Sequence, residues 1–236
     1  MTAKRIKTMA LAILMAGAFC IGAWLFISPV LEKQRILDRQ AELLASISSG
    51  DGVIVLEEVF AADEMDFYAV SEDIPTGETA VTPTEPPEAA PASVAVTGTG
   101  ILTIDRIGAV LPVTDGVSAA QLQVAVGHVP QTTPIGGEGN SVIAGHRSYT
   151  YGQMFNRLGE VAEGDLIRYE DKNGAAFTYE VFETLVIEPG DQAAFVQPEG
   201  EHLLTLYTCT PIRKATHRLL VRARLINQIQ MEEESH

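Results

Sequence analysis

The sequence predicts a mainly β protein: a closed antiparallel barrel with short helices, preceded by a transmembrane helix and a linker. Three observations support this fold class. Residues 98–227 contain many short apolar segments separated by turn residues, a pattern typical of barrels. Residues 9–30 contain no charged residue, and residues 51–97 are acidic and rich in Pro, Thr and Glu. Residues 228–236 form a polar tail.

The N-terminal segment is predicted to be a cytoplasmic tail followed by a signal-anchor helix, residues 1–30. Its uncharged part is about 22 residues long, enough to cross a ~30 Å hydrocarbon core. A cleaved signal peptide is the alternative, but the apolar run is long and bulky residues 24–27 occupy the expected cleavage region. Basic residues flank both ends, so charge alone does not set the orientation. The short tail favours a cytoplasmic N-terminus.

Residues 31–50 are predicted to form a juxtamembrane helical stalk. Their apolar residues recur at helical spacing, and Gly50 and Gly52 would end the helix. Residues 51–97 are predicted to be an acidic linker that supplies most of the net charge of -15. Apolar residues within 53–70 could form a small helix or strand, and residues 71–93 resemble a disordered or polyproline II linker. This charge argues against nucleic acid as a partner.

The barrel is predicted from seven strand-like segments within about 130 residues, enough for one core. Residues 171–174 (Asp-Lys-Asn-Gly) are typical of a hairpin turn. Ser118 is predicted to cap a short helix ending at Val124, and residues 152–158 a second helix. The predicted strands lie at residues 100–104, 109–113, 141–144, 166–170, 177–187, 203–207 and 216–226.

Cys209 is the only cysteine outside the apolar N-terminal segment, and it follows a strand-like stretch. A second apolar strand ends at the segment that carries His146. Cysteine, histidine and arginine at strand ends are typical of thiol acyl-transfer enzymes. The alternative is a buried structural cysteine that only fills space. Cys20 is expected to be an apolar helix residue.

The sequence around these residues resembles that of the sortase family, the membrane-anchored cysteine transpeptidases of Gram-positive bacteria. It consists of T-L-Y-T-C at residues 205–209, Arg218 nine residues later, and a G-H-R segment upstream that contains His146. The resemblance covers residues 98–225 and implies an eight-stranded sortase-type barrel. It also implies that Cys209 is the nucleophile and His146 the acid-base residue. Arg218 would hydrogen-bond the oxyanion or hold the substrate backbone.

Several neighbouring residues are alternatives or supporting candidates. His217 could replace His146, but alternation along a strand predicts that it points away if Arg218 points into the site. Arg222 and Arg224 would share the face of Arg218. Two further residues adjoin the site. Thr208 either contributes its hydroxyl to the site or only packs, and Arg147 is expected to face away from the site.

The resemblance implies cleavage of an LPxTG-like C-terminal sorting signal of secreted proteins, through a thioester on Cys209. The acceptor would be an amine of a peptidoglycan precursor or a pilin lysine, which makes the enzyme a thiol protease in its first half-reaction and a cell-wall anchoring enzyme overall. The expected location is the cell membrane, single-pass, with an extracellular catalytic domain. No cofactor or metal site is predicted. The alternatives are a purely hydrolytic thiol peptidase and a catalytically silent binding barrel.

The sequence shares features with two different groups of sortases. The run T-C-T-P to T-H-R-L-L-V-R (residues 208–222) is similar to pilus-type class C sortases. Those members also have an Asp-Pro-aromatic lid motif and a second membrane helix, whereas this chain resembles the single-anchor classes. We hypothesise that the acidic aromatic residues 63–68 act as a lid over the basic site. Unchanged peptide turnover after deletion of residues 51–70 would contradict that hypothesis.

Overall fold

The computed structural model describes residues 3–56, 93–147, 153–212 and 214–229. The chain divides into two compact units, residues 1–39 and residues 40–236. The first unit is formed by the beginning of helix α1 (Ala3–Ser49). The proposed lid at residues 63–68 lies outside the described residues.

The predicted membrane anchor at residues 9–30 lies on α1. Within the described part of the chain, no helix is long and apolar enough to span a bilayer. The prediction of a transmembrane helix is therefore not confirmed.

The second unit contains a closed eight-stranded barrel. The strands are β1 (Val53–Leu56), β2 (Val94–Ile104), β3 (Ala109–Asp115), β4 (Val126–His128), β5 (Gly139–Ala144), β6 (Leu166–Asp171), β7 (Ala176–Ile187), β8 (His202–Thr210) and β9 (His217–Ile229). The barrel strands follow the order β2-β3-β4-β5-β8-β9-β7-β6, and β6 pairs back with β2 to close the barrel. Strand β1 pairs with the first residues of β2 only.

The prediction of a mainly β closed barrel is confirmed, but the prediction that it is wholly antiparallel is wrong. Strands β3 and β4 are parallel, and so are β5 and β8. The β3–β4 connection contains helix α2 (Ala119–Val124), which returns the chain to the same end of the sheet. Between β5 and β8, the chain first builds the β6–β7 hairpin. Parallel neighbours need such long crossovers.

All seven predicted strands are present. Strand β1 lies in the segment where the sequence allowed a small helix or strand, and β4 was not predicted. Strand β4 has only three residues and contains Gly127, so it shows no alternation. A Cβ at Gly127 would collide with the Gly116 carbonyl oxygen, so this close backbone contact requires glycine. Strand β2 begins at Val94, inside the predicted linker, because its first residues pair with β1.

The local turn and cap predictions are mostly confirmed. Ser118 caps α2 in a reciprocal capping box with Gln121. The Asp171 carboxylate accepts hydrogen bonds from the Asn173 and Ala175 backbone N–H groups at the β6–β7 turn. The predicted helix at residues 152–158 is wrong for its described part, where turns lead into a short 3₁₀ helix, Leu158–Glu160.

Apolar side chains form separate clusters on the two sides of the barrel wall. The interior cluster includes Leu102, Ile143 and Leu206, with contributions from all eight barrel strands. A second cluster lies on the outer face of β5, β8 and β9 and includes Val142, Tyr207, Cys209 and Leu220. Neighbouring residues on a strand point to opposite faces, so Leu206 and Tyr207 belong to different clusters. The outer cluster is the surface on which the site is built.

The end of α1 packs against the strands that precede the barrel. Leu43 and Ile47 are buried together with Ile54, Leu56 and Val96 in a third apolar cluster. The helix ends at Ser49, just before Gly50, whose φ of 93° a non-glycine residue rarely adopts.

A buried polar network attaches the β7–β8 connection to the outer face. Asn140 on β5 is fully buried, and its Nδ2 donates to the Ala194 oxygen at 2.8 Å and the Val196 oxygen at 3.2 Å. Its Oδ1 accepts from Thr205 Oγ1 at 2.8 Å. Ala194 belongs to the same apolar cluster as Cys209. The hydrogen bonds of Asn140 therefore hold the β7–β8 connection against that cluster.

We expect Asn140→Ala to lower the free energy of unfolding by about 2–3 kcal/mol, because it leaves several buried polar partners unsatisfied. Urea unfolding followed by circular dichroism would measure the change. Gln192→Ala is the matched control, since Gln192 is exposed and bonds only the nearby Gly190 oxygen among the hydrogen bonds described. Equal unfolding midpoints for the two variants would contradict the assigned role of Asn140.

Candidate active site

Cys209 and Arg218 lie directly opposite each other on neighbouring strands. Cys209 is near the end of β8 and Arg218 near the start of β9, and the antiparallel register pairs them. Residues paired in this way project from the same face of a sheet. Both are buried, with exposed fractions of 3% and 2%. The fold therefore places a thiol and a guanidinium side by side in a site shielded from bulk water.

His146 is brought to the same place by the parallel pairing of β5 with β8. Ala144, the last residue of β5, pairs with Tyr207. The Gly145 N–H then donates to the Tyr207 oxygen at 3.1 Å. Continuing this register by two residues sets His146 beside Cys209, and alternation directs it to the same outer face as Ala144.

Thr208 holds the two strand ends together from the interior side. Its buried Oγ1 donates to the Gly145 oxygen at 2.7 Å. Because Thr208 alternates with Cys209, its hydroxyl lies on the opposite face of β8 from the thiol. Thr208 therefore supports the backbone that carries His146, and its hydroxyl is bonded away from the nucleophile's face.

The His146 imidazole is suited to accept a proton. Its Nε2 is buried and has no hydrogen-bond partner among the described residues. Burial lowers the pKa of His146 below its ordinary value, because desolvation penalises the charged form. The ring is therefore neutral at neutral pH and can act as a general base.

The lowered pKa of His146 predicts a pH-dependent stability. As the pH falls below the ordinary histidine pKa, the unfolded chain binds a proton that the folded chain does not, so acidification lowers the free energy of unfolding. The decrease in the free energy of unfolding is complete only below the pKa of His146 in the folded chain. We expect urea midpoints to fall less on acidification in His146→Gln than in the native chain. Equal pH dependence in the two proteins would contradict this; His217→Gln, at a half-exposed histidine beside Glu188, is the control.

The Arg218 guanidinium is fixed by carbonyl groups of the β8–β9 turn. Its Nη1 donates to the Ala215 oxygen at 3.0 Å and to the His217 oxygen at 3.1 Å. The two alternative arginines on this strand have other partners: Arg222 pairs with Glu183 and Arg224 with Glu201, each at 2.9 Å. Of the three arginines, Arg218 is the one opposite Cys209.

His217 points away from the site, as alternation predicts. Its Nε2 lies 3.2 Å from Glu188 Oε1, and its side chain is 41% exposed. It therefore does not take the place of His146 beside the thiol.

Arg147 contributes a second guanidinium near the site, and sequence reasoning missed it. Its Nη1 donates to Thr210 Oγ1 at 2.5 Å, next to Cys209 in the chain. Strand alternation predicts that Arg147 faces away from His146, and its partner Thr210 alternates with Cys209, so the guanidinium approaches β8 from the other face. The sequence did not indicate the contact itself, because β5 ends at Ala144 and the long side chain reaches across the barrel end to β8. Its position next to His146 was the one sequence signal that could have indicated this.

A known family profile covers the segment that builds this site. The profile, described as a sortase domain, matches residues 102–226, more than half of the chain. The chain belongs to the sortase family. The matched segment contains Cys209, His146 and Arg218, so the predicted resemblance is confirmed.

Known sortases resemble this chain in both sequence and structure. Sortase D of Bacillus subtilis (strain 168) is 34% identical over 112 residues, which are 48% of this chain and 54% of that protein. The crystal structure of sortase C-1 from Actinomyces oris has 32% identity and a TM-score of 0.52, covering 54% of this chain and 71% of that one. Sortase C of Streptococcus pneumoniae has 30% identity and a TM-score of 0.53, covering 57% and 69%.

The resemblance is concentrated in the barrel. This chain spans about half the length of the curated sortases it matches.

Proposed function

We propose that the chain is a sortase transpeptidase that cleaves an LPxTG-like sorting signal and transfers the released protein to an amine. The observation that carries this proposal is the pairing of Cys209 with Arg218, with His146 next to Cys209 by register. A binding module has no need for a buried thiol, a neutral imidazole and a guanidinium at one point. A catalytically silent barrel is therefore the weaker explanation.

The first half-reaction forms a thioester. His146 takes the proton of the Cys209 thiol, and Sγ attacks the carbonyl carbon between Thr and Gly of the signal. The tetrahedral oxyanion accepts hydrogen bonds from Arg218, whose charge compensates the negative charge that develops. As the C–N bond breaks, protonated His146 gives its proton to the leaving amine of the glycine.

The second half-reaction reverses the proton movements. Neutral His146 takes a proton from the incoming amine, whose nitrogen attacks the thioester carbonyl. Arg218 again binds the oxyanion. Collapse of the intermediate forms the new amide bond and releases the Cys209 thiolate, which regains a proton from His146. Water in place of the amine gives hydrolysis, so a purely hydrolytic thiol peptidase would use the same residues.

The proposed partners are secreted proteins with such a sorting signal and an amine from a peptidoglycan precursor or a pilin lysine. The solved structure of the Streptococcus pneumoniae sortase C was described in connection with pilin substrate specificity of that enzyme. The similarity of this chain to several sortase C structures supports a pilin lysine as one acceptor to test.

We also propose that the chain is anchored in the cell membrane with its barrel outside. The uncharged residues 9–30 support this proposal. Extraction of cell membranes with alkaline carbonate, followed by protease treatment of intact cells, would test it. Recovery of the chain in the carbonate-soluble fraction would contradict the anchor.

A product analysis tests the proposed activity. The full-length protein would be incubated with a quenched LPxTG peptide, with and without triglycine or a lysine amine. We expect cleavage between Thr and Gly and a new amide product that requires the amine. The free acid alone, whatever amine is present, would indicate a hydrolase. No cleavage of any sorting peptide would contradict the proposed function.

A further inference from the structure

Arg147 lies at the end of the barrel, where it contacts the strand that carries the nucleophile. Its Nη1 donates to Thr210 Oγ1 at 2.5 Å, and Thr210 is the last residue of β8. The other side of the guanidinium lies on Gly159, where a Cβ would be 2.8 Å from Nη2. The guanidinium is therefore held between the end of β8 and the 3₁₀ helix Leu158–Glu160, in a space that a side chain at Gly159 would occupy.

One donor of this guanidinium remains available. Arg147 Nε is buried and has no hydrogen-bond partner among the described residues. A buried donor without a partner costs free energy, and such groups call for a functional explanation. The positive charge is kept in this half-buried place although burial lowers the pKa of Arg147. A thiolate at Cys209 would oppose that shift and would favour the charged guanidinium.

We propose that Arg147 is a positioning residue of the thiol site, which fixes the Cys209 end of β8 from the interior side and stabilises the Cys209 thiolate. Arg218 faces the thiol across the sheet, whereas Arg147 approaches from the other side of the strand. Ionisation transfers the thiol proton to His146 or to solvent and leaves the electron pair on Sγ. The added positive charge favours this ionised form.

The role of Arg147 in catalysis rests on the proposed function, but its test does not require a sorting peptide. Iodoacetamide alkylates the thiolate, so the pH dependence of its reaction with Cys209 reports ionisation directly. The full-length protein would be alkylated across a pH series, digested, and the Cys209 and Cys20 peptides quantified by mass spectrometry. Cys20 is the one other cysteine of the chain and serves as the internal reference.

We expect Arg147→Gln to raise the pH midpoint of Cys209 alkylation by about one unit, which is about a tenfold lower rate below the midpoint. Arg147→Lys, which keeps the charge, should restore most of the rate. Arg168→Gln is the matched control, because Arg168 is an exposed arginine paired with Asp105. The Cys20 rate should be the same in every variant.

The other charged groups near Cys209 are unchanged in these variants, so they do not account for a shift. Among the described residues, strand pairing places Arg218 opposite Cys209 and His146 beside it by register, and His217 with its partner Glu188 lies next to Arg218.

Two results would overturn the proposal. One is an unchanged midpoint in folded Arg147→Gln. The other is an equal shift in the Gln and Lys variants, which would exclude a role of the charge. If Arg147→Gln does not fold, the pH midpoint of Cys209 alkylation is measured in Thr210→Val instead, because this substitution removes the acceptor that holds the guanidinium. A raised midpoint in Thr210→Val supports the proposal, and an unchanged one contradicts it. Failure of peptide cleavage would leave these results intact and would count against the proposed function alone.

Discussion

Cys209→Ser is expected to lower kcat/KM for peptide cleavage by about 10⁴-fold or more. A serine hydroxyl does not ionise near neutral pH, whereas a cysteine thiol readily forms the nucleophilic thiolate. Because Cys209 lies in an apolar cluster, a serine hydroxyl there also lowers the free energy of unfolding, by about 1–3 kcal/mol if it finds no hydrogen-bond partner. The cleavage rates are therefore compared under conditions in which circular dichroism shows that both proteins are folded.

The control for this substitution is Cys20→Ser, since Cys20 is exposed on α1 and is distant in sequence from the barrel. We expect its cleavage rate to equal that of the native chain. Quenched-peptide kinetics at fixed pH measure both variants. Substantial activity in Cys209→Ser would show that another residue is the nucleophile.

Arg218→Lys is expected to lower kcat/KM by about 10²–10³-fold. The planar guanidinium can bind turn carbonyls and an oxyanion at once, because its five donors lie in a fixed fork. Arg218 already donates from Nη1 to Ala215 and His217, which sets the direction of the remaining donors. The shorter ammonium group of lysine cannot reproduce this arrangement, although it keeps the charge.

Arg224→Lys is the matched control for Arg218→Lys. Arg224 lies on the same face of β9, but it is exposed and pairs with Glu201. We expect its kcat/KM to remain close to the native value. If both lysine variants were equally active, oxyanion binding by Arg218 would be wrong.

The choice of Arg218 came from the nine-residue Cys-to-Arg spacing of the family resemblance, since alternation alone leaves Arg222 and Arg224 on the same face. Alternation did distinguish Arg218 from His217. The structure agrees with it, since Arg218 is buried opposite Cys209 and His217 is half-exposed beside Glu188. Local patterns of this kind also predicted the Ser118 cap and the Asp171 turn.

The placement of His146 could not be derived from spacing, since it depends on which distant strands become neighbours. The parallel pairing of β5 with β8 crosses the whole β6–β7 hairpin, and the family resemblance was needed to anticipate it. Strand β4 was missed because three residues around a glycine have no detectable alternation. Arg147 was missed because its contact is made by the end of a long side chain beyond the last residue of a strand.

The proposed mechanism requires that Cys209 form a thioester with a sorting signal. The most direct measurement is mass spectrometry of the full-length chain after incubation with an LPxTG peptide without amine, followed by digestion. We expect an adduct on the Cys209 peptide with the mass of the signal up to its threonine. This adduct should disappear when triglycine or a lysine amine is added, and it should be absent in Cys209→Ala. Cleavage that proceeds with no adduct on Cys209, or with an adduct on another residue, would show that Cys209 is not the nucleophile.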